Sequence, residues 1–179
     1  MQFFILLLTD IILGFVPQAM GCAACLFAIG NQKLISKDFL YTSVIYSAIA
    51  LIVRLMYNLG FIDFGFHTII IWLIFVVVAI IYNSYPAVQA TVSILISGVL
   101  ITVSELITCV VLMFAIGADE FNNIMNNDVT IEAKINKAIC GIPANFLFLA
   151  IVLLMNLILK RRKQRHALAA ENQTNEENA

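Results

Sequence analysis

Between Asp63 and Glu105 the chain carries no formally charged side chain. Water-soluble domains average about 25% charged residues, whereas this chain of 179 residues holds 12%, against 62% hydrophobic and a mean hydropathy of +0.99. An uncharged apolar stretch of that length satisfies its backbone N–H and C=O groups in lipid only by winding into helices. The other charges are distributed in keeping with this: seven fall in the first 118 residues (Asp10, Lys33, Lys37, Asp38, Arg54, Asp63 and Glu105), and the rest gather in 119–137 and 160–179. The composition excludes a soluble globular core, a nucleic-acid binder and a disordered chain. It implies an all-α, polytopic integral membrane helix bundle, with a transmembrane domain over 1–160 and a short tail over 161–179.

A spanning helix needs about 20 apolar residues, and five stretches qualify: 2–29, 39–58, 64–83, 86–116 and 138–159. The first does not read as a secretory signal, because no Lys or Arg precedes it and it stays apolar through Ile29. Asn31-Gln32-Lys33 ends it, Gly60 suits a C-cap after the second, Ser84 reads as an N-cap ahead of Pro86, and Gly117 closes the fourth. The 86–116 stretch has the length of one tilted helix or two short ones. Lys160, Arg161, Arg162, Lys163 and Arg165 follow the last span and place the C-terminus in the cytoplasm by the positive-inside rule. Five spans then keep Lys33 and Lys37 cytoplasmic and the acidic 118–137 segment outside, whereas six would put both lysines outside. Splitting 86–116 would also need a turn where Gly98 is the sole breaker. The expectation is five helices in the cytoplasmic (inner) membrane, N-terminus out and C-terminus in. Residues 119–137 read as a short interfacial helix, a turn near Asn126-Asn127-Asp128 and the start of the fifth helix. The tail, basic and then acidic, is expected to be cytoplasmic and disordered, since 166–179 lacks the apolar residues to build a core.

Read at 3.6 residues per turn, Asp10, Gly14, Pro17, Gly21, Cys25 and Ala28 share one face of the first helix. Ser43, Ser47, Ala50 and Arg54 do so on the second, and Ser93, Ser97, Ser104 and Thr108 on the fourth, with Gly98, Glu105 and Cys109 beside them. Small residues let helices pack closely in lipid, so each helix is expected to turn one such face inward and an aliphatic or aromatic face to lipid. In the five-span orientation Asp10, Arg54 and His67 lie in the outer half and Glu105 lies near mid-membrane. These four converge on one level open to the outside and are the candidate ligand-binding residues. A charge at the bilayer centre costs about 2.5–3.5 kcal/mol on insertion scales. Glu105 is therefore expected either to pair with Arg54, or to be protonated and hydrogen-bonded to Ser104 or Thr108 while Arg54 snorkels. Cys22 and Cys25 have the spacing of half a zinc or redox motif but lack a second pair and a local His, so both read as small packing residues. No metal, cofactor or catalytic residue is expected. A membrane-embedded cysteine peptidase needs a His beside its thiol, and only His67 with Cys109 or Cys140 is open geometrically.

Arg54 near a helix end, Phe64-Gly65-Phe66-His67-Thr68 opening an Ile-rich helix, Ser104-Glu105-Leu106 in a long helix ending at Gly117, and Gly141-Ile142-Pro143 opening the last span form a recognisable series. Over 1–160 it resembles the membrane sensor region of bacterial accessory-gene-regulator-type receptor histidine kinases. The resemblance implies recognition of a secreted signal, often a peptide, on the outer face, with Arg54, His67 and Glu105 matching the polar landmarks. It departs where the family's kinase begins, because Lys160–Arg165 is followed by fourteen residues without a phosphoacceptor helix or ATP-binding domain. The expectation is a stand-alone, non-enzymatic sensor-like or regulatory protein that recognises an extracellular small ligand or peptide. It would act through a cytoplasmic kinase or another membrane subunit, with Pro17 and Pro143 as its flexible points. The alternative classes are a small-solute permease or membrane subunit of a transporter, and a structural subunit. Transport finds no support in inverted repeats or paired discontinuous helices.

Overall fold

The computed structural model describes residues 14–58, 60–62, 66–126 and 131–177. In chain order the helices are α1 (Val16–Ile29), α2 (Lys37–Asn58), α3 (Phe66–Ile81), α4 (Ala87–Ile116), α5 (Ala118–Asn126) and α6 (Ile131–Glu177), with no strand among the described residues. Three segments are long and apolar enough to cross a membrane, Lys37–Tyr57, Ala87–Ile116 and Ile135–Arg162, and α1 and α3 are shorter apolar helices. This is the helical make-up of a multi-pass membrane protein. The 86–116 stretch is a single helix of 30 residues that Gly98 does not break. Asp10 and the turn expected at Asn127-Asp128 lie outside the described residues.

Local chemistry accounts for the boundaries. Pro17 stands in the first turn of α1, where its missing N–H costs no helical bond, so it does not kink the described helix. Ser36 caps α2, its Oγ accepting from the Phe39 N–H at 3.1 Å. At the other end Gly60 has φ +79°, its N–H donating to the Tyr57 carbonyl and the Phe61 N–H to the Met56 carbonyl, both at 3.0 Å, a Schellman arrangement. Ser84 does not cap α4, because Pro86 holds the N-cap position and no side chain bonds there. Gly117, at φ +90°, ends α4 by donating to the Met113 carbonyl at 3.1 Å, and its own carbonyl accepts from Phe121 at 3.0 Å, so α5 begins at once.

α6 continues through Glu177, over the segment for which disorder was expected. Nucleation is already complete inside the apolar part of α6, and each further residue needs only propagation. Lys, Arg, Gln, Ala, Leu and Glu, all good helix formers, dominate from Lys160 to Glu177.

α1 occupies the middle of the bundle, packed on α2, α4 and α6. Gly21 through Ala28 are buried without a break, unlike the one-faced burial expected from its stripe. Gly21, Cys22, Ala23, Ala24, Cys25 and Ala28 have so little bulk that neighbours close on the helix from every side, with Leu26 and Phe27 buried among them. Gly21 makes room for the Phe148 ring of α6, and Gly98 of α4 for the Trp72 ring of α3; a Cβ at either position would overlap the ring. The two-faced pattern holds on α4, where Ser93, Ser97, Ser104 and Thr108 are buried and Val88, Val99, Leu106 and Val111 are exposed. The hydroxyls of Ser43, Ser47, Ser93, Ser97 and Ser104 each donate to the carbonyl four residues earlier at 2.7–2.9 Å. With donors satisfied inside their own helices, the serine stripes serve as packing surfaces.

Helices α1, α2, α3 and α4 close a ring, each packed on the next and α4 on α1, while α6 lies outside it against α1 and α4. Tyr46 of α2 fastens one level of the ring: its ring stacks on Phe75 of α3 at 3.9 Å, and its hydroxyl donates to the Phe75 carbonyl at 2.9 Å.

Gly21→Ala sets a methyl group into the Phe148 ring and is expected to destabilise the bundle by about 1–3 kcal/mol, the usual cost of overpacking. Phe148→Leu in the same chain should recover part of that loss, as thermal unfolding in detergent micelles would show. A loss that is the same with Phe and Leu at 148 would place the strain elsewhere.

Candidate ligand-binding cavity

The ring of four helices surrounds a cavity of about 340 Å³. The α1 side supplies Phe15, Gln18, Ala19 and Cys22; α2 supplies Ala50 and Arg54; α3 supplies His67, Thr68, Ile71, Trp72 and Phe75; and α4 supplies Ile101, Thr102 and Glu105. Three of the four candidate residues, Arg54, His67 and Glu105, thus line one space. The fourth, Asp10, lies outside the described residues. Arg54 and His67 meet because Arg54 is one turn before the end of α2 and His67 is the second residue of α3, the helix packed against it.

The surroundings of Arg54 are aromatic. Its guanidinium carbon lies 5.7 Å from the centre of the Phe15 ring and 5.2 Å from that of Tyr57, and Nη1 lies 3.4 Å from Nε2 of His67. Each cation–π contact contributes on the order of 0.5–2 kcal/mol. A guanidinium only donates, so in this contact Nε2 of His67 is the accepting atom. The Tyr57 ring leans against the imidazole with centroids 4.7 Å apart. Arg54 Nε is buried and has no hydrogen-bond partner among the described residues.

Glu105 stands apart from this cluster. Across the ring, α2 and α4 are not packed neighbours, and the cavity separates them. Among the described residues no carboxylate comes within 4.0 Å of the guanidinium, so the Arg54–Glu105 ion pair, one of the two arrangements expected, is not formed. Nor does Ser104 serve Glu105, since its hydroxyl donates to the Leu100 carbonyl at 2.8 Å. The Glu105 side chain is exposed at the cavity rim. The reason for the difference is positional: the two charges sit on helices that oppose each other diagonally.

The apolar walls were not singled out by the sequence. Ile71, Trp72 and Phe75 follow His67 and Thr68 along one helical face, but α3 is apolar all round and no periodicity marks that face as special. The cysteines are free; Cys22 and Cys25 are buried, Cys25 with its Sγ 3.5 Å from the Ser93 carbonyl, and Cys109 and Cys140 are half-buried. No group of three His, Cys, Asp or Glu side chains among the described residues is placed to hold a metal ion. What the lining offers is a cation, an imidazole and a carboxylate around an apolar interior, a combination suited to holding a small amphipathic molecule. No protein-family model, curated protein or solved structure matches the chain.

Because His67 touches Arg54 and Glu105 does not, a double-mutant cycle of Arg54→Gln with His67→Ala should show a coupling above about 0.5 kcal/mol, whereas Arg54→Gln with Glu105→Gln should be additive within about that amount. Thermal unfolding of the purified variants measures both cycles. Strong coupling in the second cycle would restore the ion pair.

Proposed function

We propose that the chain is a membrane sensor-like or regulatory protein that recognises a small ligand or short peptide from the outer face and acts through a partner. The observation that carries this is the convergence of four helices on one cavity lined by Arg54, His67 and Glu105. Its volume of about 340 Å³ lies at the small end of the ~300–1,000 Å³ common for ligand sites. The resemblance to accessory-gene-regulator-type sensor regions agrees with outward recognition and a cytoplasmic output.

The orientation that belongs to this proposal has five helices crossing the bacterial cytoplasmic membrane, N-terminus out and C-terminus in. Lys160, Arg161, Arg162 and Arg165 are exposed just past the apolar part of α6, which favours a cytoplasmic end there. On the opposite side α5 buries Phe121 and exposes Asp119 and Glu120, as a helix lying in the interface does. The Arg54–His67 end of the cavity then faces outward. A ligand alters the output only by preferring one helix arrangement over another. Pro143, inside α6, offers a place for that change, because it donates no bond to the preceding turn.

Asn122→Cys is expected to react with a membrane-impermeant thiol reagent applied outside intact cells, above the background of the unmodified chain, and Gln173→Cys is not. Labelling at 173 alone, or at both positions, would reverse or discard this topology.

Trp72 is the single tryptophan and lines the cavity, so its emission reports occupancy. In proteoliposomes the peptide fraction of conditioned medium should shift that emission saturably. Ala50→Leu, which fills the cavity, should abolish the shift, and no solute should accumulate in the lumen. Accumulation would replace sensing by transport, and an unshifted emission would remove ligand recognition.

A further inference from the structure

Resting on the recognition role proposed above, we infer that the cavity reads a zwitterion: a molecule of about apolar-dipeptide size whose carboxylate lies against Arg54 and whose ammonium lies against Glu105. Two opposite charges line one space of about 340 Å³ and yet make no ion pair among the described residues. Charges removed from water are costly unless compensated, so direct pairing is the arrangement that bundle stability alone would favour. The fold prevents it by placing Arg54 on α2 and Glu105 on α4, helices that face each other across the ring without packing together.

What surrounds the guanidinium leaves its acceptor needs open. Two aromatic faces and one imidazole nitrogen hold it, none with a full negative charge, and the buried Nε has no partner among the described residues. Five donors in a planar fork match a carboxylate, which accepts two parallel bonds. On the opposite wall an ionised Glu105 only accepts, which suits an ammonium. Ile71, Trp72, Phe75 and Ile101 line the space between them and suit apolar side chains. A metal ion would face the repulsion of Arg54, and a simple anion that of Glu105. A free dipeptide carries one charge at each end with apolar side chains between, and compensates both walls at once.

The test uses the full-length protein in nanodiscs of phosphatidylcholine and phosphatidylglycerol, with Trp72 emission titrated against Leu-Leu, N-acetyl-Leu-Leu and Leu-Leu-amide. Leu-Leu should bind saturably and each capped form about tenfold or more weakly, as expected for loss of a charge-assisted hydrogen bond. Glu105→Gln should weaken Leu-Leu and the amide but leave the acetylated peptide unchanged. Arg54→Gln should weaken Leu-Leu and the acetylated peptide but leave the amide unchanged. The capping series runs on the unaltered protein, so it stands even where a variant fails to fold. Capped peptides that bind as tightly as Leu-Leu overturn the zwitterion assignment and leave recognition in the cavity intact. Absence of binding by all three also overturns it, while the response to the conditioned-medium fraction and its loss in Ala50→Leu judge the recognition role separately.

Discussion

In lipid, helices gain nothing by hiding apolar side chains from one another, so this bundle depends on how closely its backbones approach. α1 sets that distance. Its run from Gly21 to Ala28 is buried on all sides, and α2, α4 and α6 pack against it. The Phe148 ring fits where Gly21 has no Cβ, which brings α6 to α1 at a separation larger residues would forbid. The position of α1 in turn fixes one wall of the ring and so the width of the cavity. The site is thus a by-product of packing small residues, with large rings such as Trp72 and Phe75 filling what the small ones leave.

How much of this was legible in the sequence follows from whether a residue's message is local. Gly60 and Gly117 act through their own φ angles, so the ends of α2 and α4 could be read directly. The unbroken length of α4 followed from charge placement, an argument about side chains near the membrane surfaces. The stripe on α1 correctly marked a packing helix but understated it, because periodicity describes one face and says nothing of how many neighbours converge. The extent of α6 was not legible for a different reason: composition alone reports the absence of a core, whereas α6 extends outward from a helix already formed.

Arg54, His67 and Glu105 were picked out as polar residues in apolar surroundings, and they do line a common cavity. Their pairing was not legible. Which residues meet depends on which helices are neighbours in the ring and which are diagonal, and no local pattern in α2 or α4 encodes that. His67 replaces Glu105 as the contact of Arg54 because α2 and α3 are packed neighbours. A guanidinium held by two rings and an imidazole keeps its charge in place with no carboxylate paired to it among the described residues, so the field between Arg54 and Glu105 runs from α2 toward α4.

The 47 residues of α6 make a rod about 70 Å long at 1.5 Å per residue, more than twice the ~30 Å hydrocarbon thickness of a bilayer. Roughly 50 Å of that rod lies beyond Pro143. Tilting the far section by about 10° at the proline would sweep Glu177 through roughly 9 Å, although the atoms at the pivot would scarcely move. Unbroken helicity thus acts as a lever arm, with mechanical advantage set by the distance of Pro143 from the far end.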